Sequence, residues 1–191
     1  MNRLIIVGNG FDLAHGLPTS YKHFMDKFWE SLPSNYKDKS VSKMVFVSEK
    51  YEGFLKYGDK SIENYKDLRK NMVEYAKEYH MRFMENSELL LATNFNNRAF
   101  EFKNIFFKLI TLESIDKWVD IENIYYEVLI GIINPEKKKH QYSGNIDRLN
   151  NEFEDIKSSL ENYLDANVIK RFNFNKNIKS EENILKYFEI F

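Results

Sequence analysis

A chain of 191 residues fits one compact domain, so a single unit spanning residues 1–191 is the expectation. Its 28 Lys plus Arg against 29 Asp plus Glu leave a formal charge of -1, which excludes a sequence-wide field for nucleic acid or an anionic membrane; any such partner needs a local patch. Cysteine is absent, which excludes disulfides, thiolate metal sites and a cysteine nucleophile and fits a cytoplasmic location; no metal is expected, and the longest apolar runs, Leu4 to Val7 and Leu89 to Ala92, are far below the ~20 residues that cross a bilayer.

Leu4 to Val7 is a continuous apolar, β-branched run ended by Gly8-Asn9-Gly10, the pattern of a strand buried on both faces of a parallel sheet. After Leu17-Pro18, Thr19 and Ser20 are placed to cap a helix carrying Phe24, Phe28 and Leu32, with its end near Pro33. Residues 34–42 read as a loop, and Lys43 to Tyr57 is either helix or a short strand at Met44 to Val47. Ile62, Tyr65, Leu68, Met72, Tyr75, Tyr79 and Phe83 step by three and four, which predicts one amphipathic helix of about seven turns. Another helix is expected over Ala99 to Leu112. A third follows the stripe Trp118, Ile121, Tyr125, Val128 and Ile132 and stops around Asn134-Pro135. Ile146, Leu149, Phe153, Ile156, Leu160 and Tyr163 predict a last helix packed on a near-antiparallel neighbour. The basic run Lys137-Lys138-Lys139-His140 between these two helices reads as a solvated turn rather than a nucleic-acid patch.

Further strand candidates are Leu89 to Thr93 and Arg171 to Asn175. The predicted fold class is therefore α/β and predominantly helical. A short parallel N-terminal strand with its Gly-rich turn forms a Rossmann-like fragment over residues 1–33, and a large helical bundle occupies most of 60–191.

The chemistry is concentrated at the start of the chain. A strand feeding Gly8-Asn9-Gly10 lets backbone approach a ligand closely, and exposed amides there hold phosphate oxygens; a simple tight turn is the alternative reading. Leu13 stands where a Gly-x-Gly-x-x-Gly fingerprint needs its last glycine, so the pattern is not the ordinary dinucleotide-binding one. Taken whole, Gly8-Asn9-Gly10-Phe11-Asp12-Leu13 followed by Gly16-Leu17-Pro18-Thr19-Ser20-Tyr21 resembles the N-terminal signature of the AbiH family of phage abortive-infection proteins. Trp118-Val119-Asp120-Ile121-Glu122 resembles a second element of that family. The family is in turn similar to sirtuin-like domains, whose corresponding turn and loop contact NAD. The resemblance thus implies a phage-defence role and a nucleotide ligand, NAD or another, on Gly8, Asn9, Gly10, Phe11, Asp12, Gly16, Pro18, Thr19 and Ser20.

Thr19, Ser20 and Tyr21 stand where a sirtuin loop supplies Asp, Phe and Arg, so backbone amides or another segment would have to meet the ligand's charge. The family's later Asn-Phe-Asn-Tyr-Thr and His-Gly elements have no counterpart here, which implies a truncated family member. Two residues are candidates for catalysis, were this an NAD or nucleotide hydrolase. His15 has an intrinsic pKa suited to proton transfer or is a loop histidine that only packs, and Asp12 either orients it, binds a ribose hydroxyl or bonds local amides. Glu122 falls about 40° from Trp118 and within about 20° of Leu129 on a helical wheel. It is therefore expected inside the apolar stripe, where burial would raise its pKa toward that of a general base; the alternative reading is a Glu at the edge of the stripe that bonds a helix terminus or an Arg. The competing reading is a non-catalytic helical module that binds a protein partner or a second copy of itself.

Overall fold

The computed structural model describes residues 16–57, 61–84, 88–92, 98–114 and 121–170. The chain divides into two compact units, one of residues 20–160 and one of residues 1–19 with 161–191.

In the larger unit Ser20 caps α1 (Tyr21–Asn35), as its position predicts, and Phe24, Met25, Phe28, Trp29 and Leu32 line the buried face. The helix runs past Pro33 instead of stopping there. Pro33 sits in the last turn, where its missing amide costs a single hydrogen bond to the Trp29 carbonyl. Residues 34–42 are not the expected loop: α1 runs through Asn35, and α2 (Lys39–Met44) forms because Val41 and Met44 bury one face of a short helix, after which the ambiguous stretch resolves as the three-residue strand β1 (Val45–Val47) and α3 (Glu49–Tyr57).

Two predicted helices are broken by strands. The stripe from Ile62 to Phe83 is α4 (Tyr65–Glu78), capped by the Asn64 side chain, followed by β2 (Met81–Met84). Between them His80 takes a φ of 51°, a left-handed conformation that ends the helix. The stretch 99–112 is β4 (Arg98–Phe102) and α5 (Ile105–Glu113), with Asn104 capping the helix. With β3 (Leu89–Ala92), predicted as a strand, these build a four-stranded sheet in the order β1-β4-β3-β2.

All its pairings are antiparallel, with Val45 opposite Phe102, Leu90 opposite Phe100 and Met81 opposite Ala92. The expectation of a parallel, Rossmann-like sheet is therefore corrected for the described residues. The connections β2-β3 and β3-β4 are too short to carry a crossover, so consecutive strands reverse direction. The strand candidates Leu4 to Val7 and Arg171 to Asn175 lie outside the described residues. Predominance of helix holds.

Aromatic rings fill the core between α1, α4, α5 and the sheet. Trp29 is 1% exposed, and its ring lies 4.8 Å from Tyr65, 4.9 Å from Phe28, 5.6 Å from Phe107 and 5.8 Å from Phe102. Each such burial removes apolar surface from water at about 25 cal/mol per Å². α6 (Ile121–Ile133) ends where Asn134-Pro135 predicts, and α7 (Ile146–Leu164) spans its predicted stripe. Phe153 of α7 packs on Tyr125 of α6 and Phe106 of α5, with centroids 5.2 and 6.0 Å away.

Candidate functional site

The signature segment is described from Gly16 onward; Gly8, Asn9, Gly10, Phe11, Asp12 and His15 lie outside the described residues. Gly16 has a φ of +72°, and a Cβ there would meet nothing within 4 Å. The glycine is thus required by the left-handed backbone and not by crowding. Thr19 donates its amide to the Leu17 carbonyl at 2.9 Å, tightening the turn at Pro18. The Pro18 carbonyl accepts from the Tyr163 hydroxyl at 2.8 Å. These contacts make Gly16, Pro18 and Thr19 parts of one ordered turn.

At the start of the larger unit, Ser20 is extended, 5% exposed and N-caps α1, accepting the His23 amide at 3.2 Å. The same oxygen lies 2.8 Å from His23 Nδ1. Both contacts converge on the one Ser20 oxygen, so the His23 side chain folds back onto the hydroxyl that caps its own amide. The first turn of α1 holds no acidic residue, so the positive end of the helix is not neutralised from within. Tyr21, at the first helical position, buries a hydroxyl that has no hydrogen-bond partner among the described residues, and burial pushes its pKa up.

Glu122 is exposed, contrary to the inward orientation its helical wheel predicts. The buried residues of α6 are Ile124 and Val128, four apart, which set the inward direction. Glu122 is about 140° from that direction. Periodicity alone does not set the inward direction, which the packing of Ile124 and Val128 decides; Trp118 and Asp120 lie outside the described residues.

The carboxylates that are buried are others. Glu88, 2% exposed at a φ of 49°, accepts from the Tyr65 hydroxyl at 2.6 Å and pairs with Arg69 at 3.2 Å. Glu152, 7% exposed, pairs with Arg148 at 2.8 Å and accepts the Phe106 amide at 3.0 Å. Both are fully occupied in holding elements together, Glu88 joining the β2-β3 connection to α4 and Glu152 joining α7 to the start of α5. Neither is free to act as a base. Among the described residues no three His, Asp or Glu side chains converge to hold a metal ion. No described helix is long and apolar enough to cross a membrane.

The basic run is fastened at one end. Glu127 of α6 accepts from Lys139 Nζ at 2.6 Å and bonds His140 Nε2 at 2.8 Å. Those two hydrogen bonds hold its carboxyl down to about 2. Lys137 and Lys138 make no ion pair among the described residues and are exposed, as the solvated-turn reading expects.

Compared with known proteins, residues 4–189 match the model of the family described as bacteriophage abortive infection AbiH. No curated protein and no solved structure matches.

Proposed function

Because the chain belongs to the AbiH family of bacteriophage abortive infection proteins, we propose that it serves phage defence by binding a nucleotide, NAD first among the candidates, through the segment from Gly8 to Tyr21. The observation that supports this reading is the geometry of the described half of that segment. A left-handed Gly16 and an extended Ser20 lead into the N-terminus of a 15-residue helix with no acidic residue in its first turn. Free amide dipoles at such a start favour an anion, and the glycines at positions 8 and 10 give the signature the backbone freedom that close approach to a phosphate needs.

Binding is favoured over hydrolysis by the position of Glu122. A general base needs to reach the water it activates within a site that excludes bulk solvent, and Glu122 stands in solvent on the outer face of α6. His15 remains the candidate for proton transfer within the signature itself.

Calorimetric titration of the chain with NAD, ATP and ADP-ribose tests the reading. At least one is expected to bind at millimolar concentration or below, with binding lost in Gly10→Val at an unchanged melting temperature. Absence of heat from all three nucleotides would remove the ligand assignment. Nicotinamide release from NAD is expected at background; release abolished by Glu122→Gln in a folded protein would instead establish turnover.

A further inference from the structure

We propose that the cleft between the outer face of α6 and the Lys137–Lys139 loop binds single-stranded nucleic acid, with a base stacked on Tyr126 and neighbouring phosphates on Lys137 and Lys138. The cleft has a volume of about 500 Å³, within the range of a nucleotide-sized ligand. It lies wholly in the larger unit and does not depend on the nucleotide reading of the N-terminal segment.

Three features build it. First, Asn123, Tyr126 and Ile130 line it at steps of three and four, so they share the face of α6 opposite Ile124 and Val128. Tyr126 is 60% exposed, an aromatic face with no ring partner among the described residues. Second, the opposite wall is held in place. Gly131 lets the Lys138 backbone approach α6, since a Cβ at Gly131 would sit 3.2 Å from Lys138 Cα. Asn134 accepts the Glu136 amide at 3.1 Å to cap the short 3₁₀ turn at Pro135–Lys137, and Glu127 anchors Lys139 and His140. Third, this anchoring consumes Glu127 on Lys139, while Lys137 and Lys138 make no ion pair among the described residues and Glu136 is the other acid that lines the cleft. A lysine pair beside an exposed aromatic ring and an amide is the combination that grips a sugar–phosphate strand while stacking any base. An acidic peptide would satisfy the lysines and leave the ring of Tyr126 unused, so the aromatic wall favours the nucleic acid.

Fluorescence anisotropy of the full chain with a labelled 12-nucleotide RNA and its DNA counterpart tests this, at several KCl concentrations. Engaging two phosphates predicts a log–log salt slope of about -1.4, or roughly sevenfold weaker binding between 50 and 200 mM salt. Lys137→Gln with Lys138→Gln is expected to flatten that slope. Tyr126→Ala should weaken binding about tenfold, while Tyr126→Phe retains it because stacking needs only the ring. All three side chains are exposed, so unchanged melting temperatures are expected and separate binding from folding. Gly10→Val should bind the strand like the parent chain; loss there would move the strand to the N-terminal segment and overturn the assignment. The proposal also fails if neither strand binds. It fails equally if a poly-glutamate peptide competes on equal terms while Tyr126→Ala is silent, which would make the cleft a site for acidic protein.

Discussion

One carboxylate oxygen of Glu152 lies 3.0 Å from the amide nitrogen of Phe106, so a side chain of α7 closes the N-terminus of α5. Asn104 returns the contact by donating its side-chain amide to the Glu152 carbonyl at 2.8 Å. Glu152→Ala leaves a buried amide without an acceptor and Arg148 without its partner, and is expected to cost about 2–3 kcal/mol. Glu152→Gln keeps an acceptor for the amide and should cost about half as much. Urea unfolding of both variants measures the difference, and equal losses would show that the amide contact contributes nothing.

Trp29 occupies the centre of the aromatic core with its indole nitrogen buried and unpartnered. Trp29→Ala opens a large cavity among Phe28, Tyr65, Phe102 and Phe107, for which a loss of about 3–5 kcal/mol is expected. Trp29→Phe removes the unsatisfied donor along with some volume. Its loss should stay below about 2 kcal/mol, because relief of the desolvated N–H offsets part of the cavity. Thermal or urea denaturation distinguishes the two outcomes.

The turn before α1 makes two separable demands. Gly16→Ala places a Cβ on a backbone with φ of +72°, so the expected cost is about 1 kcal/mol even though no neighbour crowds the site. Gly16→Asn should cost less, since asparagine tolerates that region. Ser20→Ala removes the cap and is expected to cost about 1 kcal/mol, whereas Ser20→Asp restores an acceptor for the His23 amide. A calorimetric melt in which alanine and aspartate at residue 20 are equally destabilising would contradict the capping role.

Glu127 supplies a pH signature. Its carboxyl is held down to about 2 from an ordinary value of 4.5, first by the hydrogen bond from Lys139 and then by that from His140. A carboxyl depressed in the folded state adds stability that is fully present above its unfolded pKa and is lost as pH falls through the folded one. The contribution should therefore persist at pH 5, decline below about 4.5 and vanish near 2. Carbon-detected NMR titration of Glu127 is expected to show the low midpoint, with Lys139→Ala moving it upward; an unmoved midpoint would show that Lys139 does not hold the carboxylate.

Family membership and the helix boundaries with local signals were legible in the sequence. Ser20 and Asn134 act on backbone within a few residues of themselves, so their meaning survives without knowledge of the fold. The stripe of α7 was legible for the same reason, its period being long and uninterrupted. What tertiary structure decided was pairing. Phe83 and Phe100 fit a helical period by spacing, yet each lies in a strand because Leu90, opposite both, completes a sheet that local periodicity does not encode. Side-chain direction was decided in the same way. Glu122 turned outward and Glu88 and Glu152 inward because burial depends on which partner faces a helix or loop, and a charge goes inside only where Arg69, Arg148 or a backbone amide from elsewhere in the chain receives it.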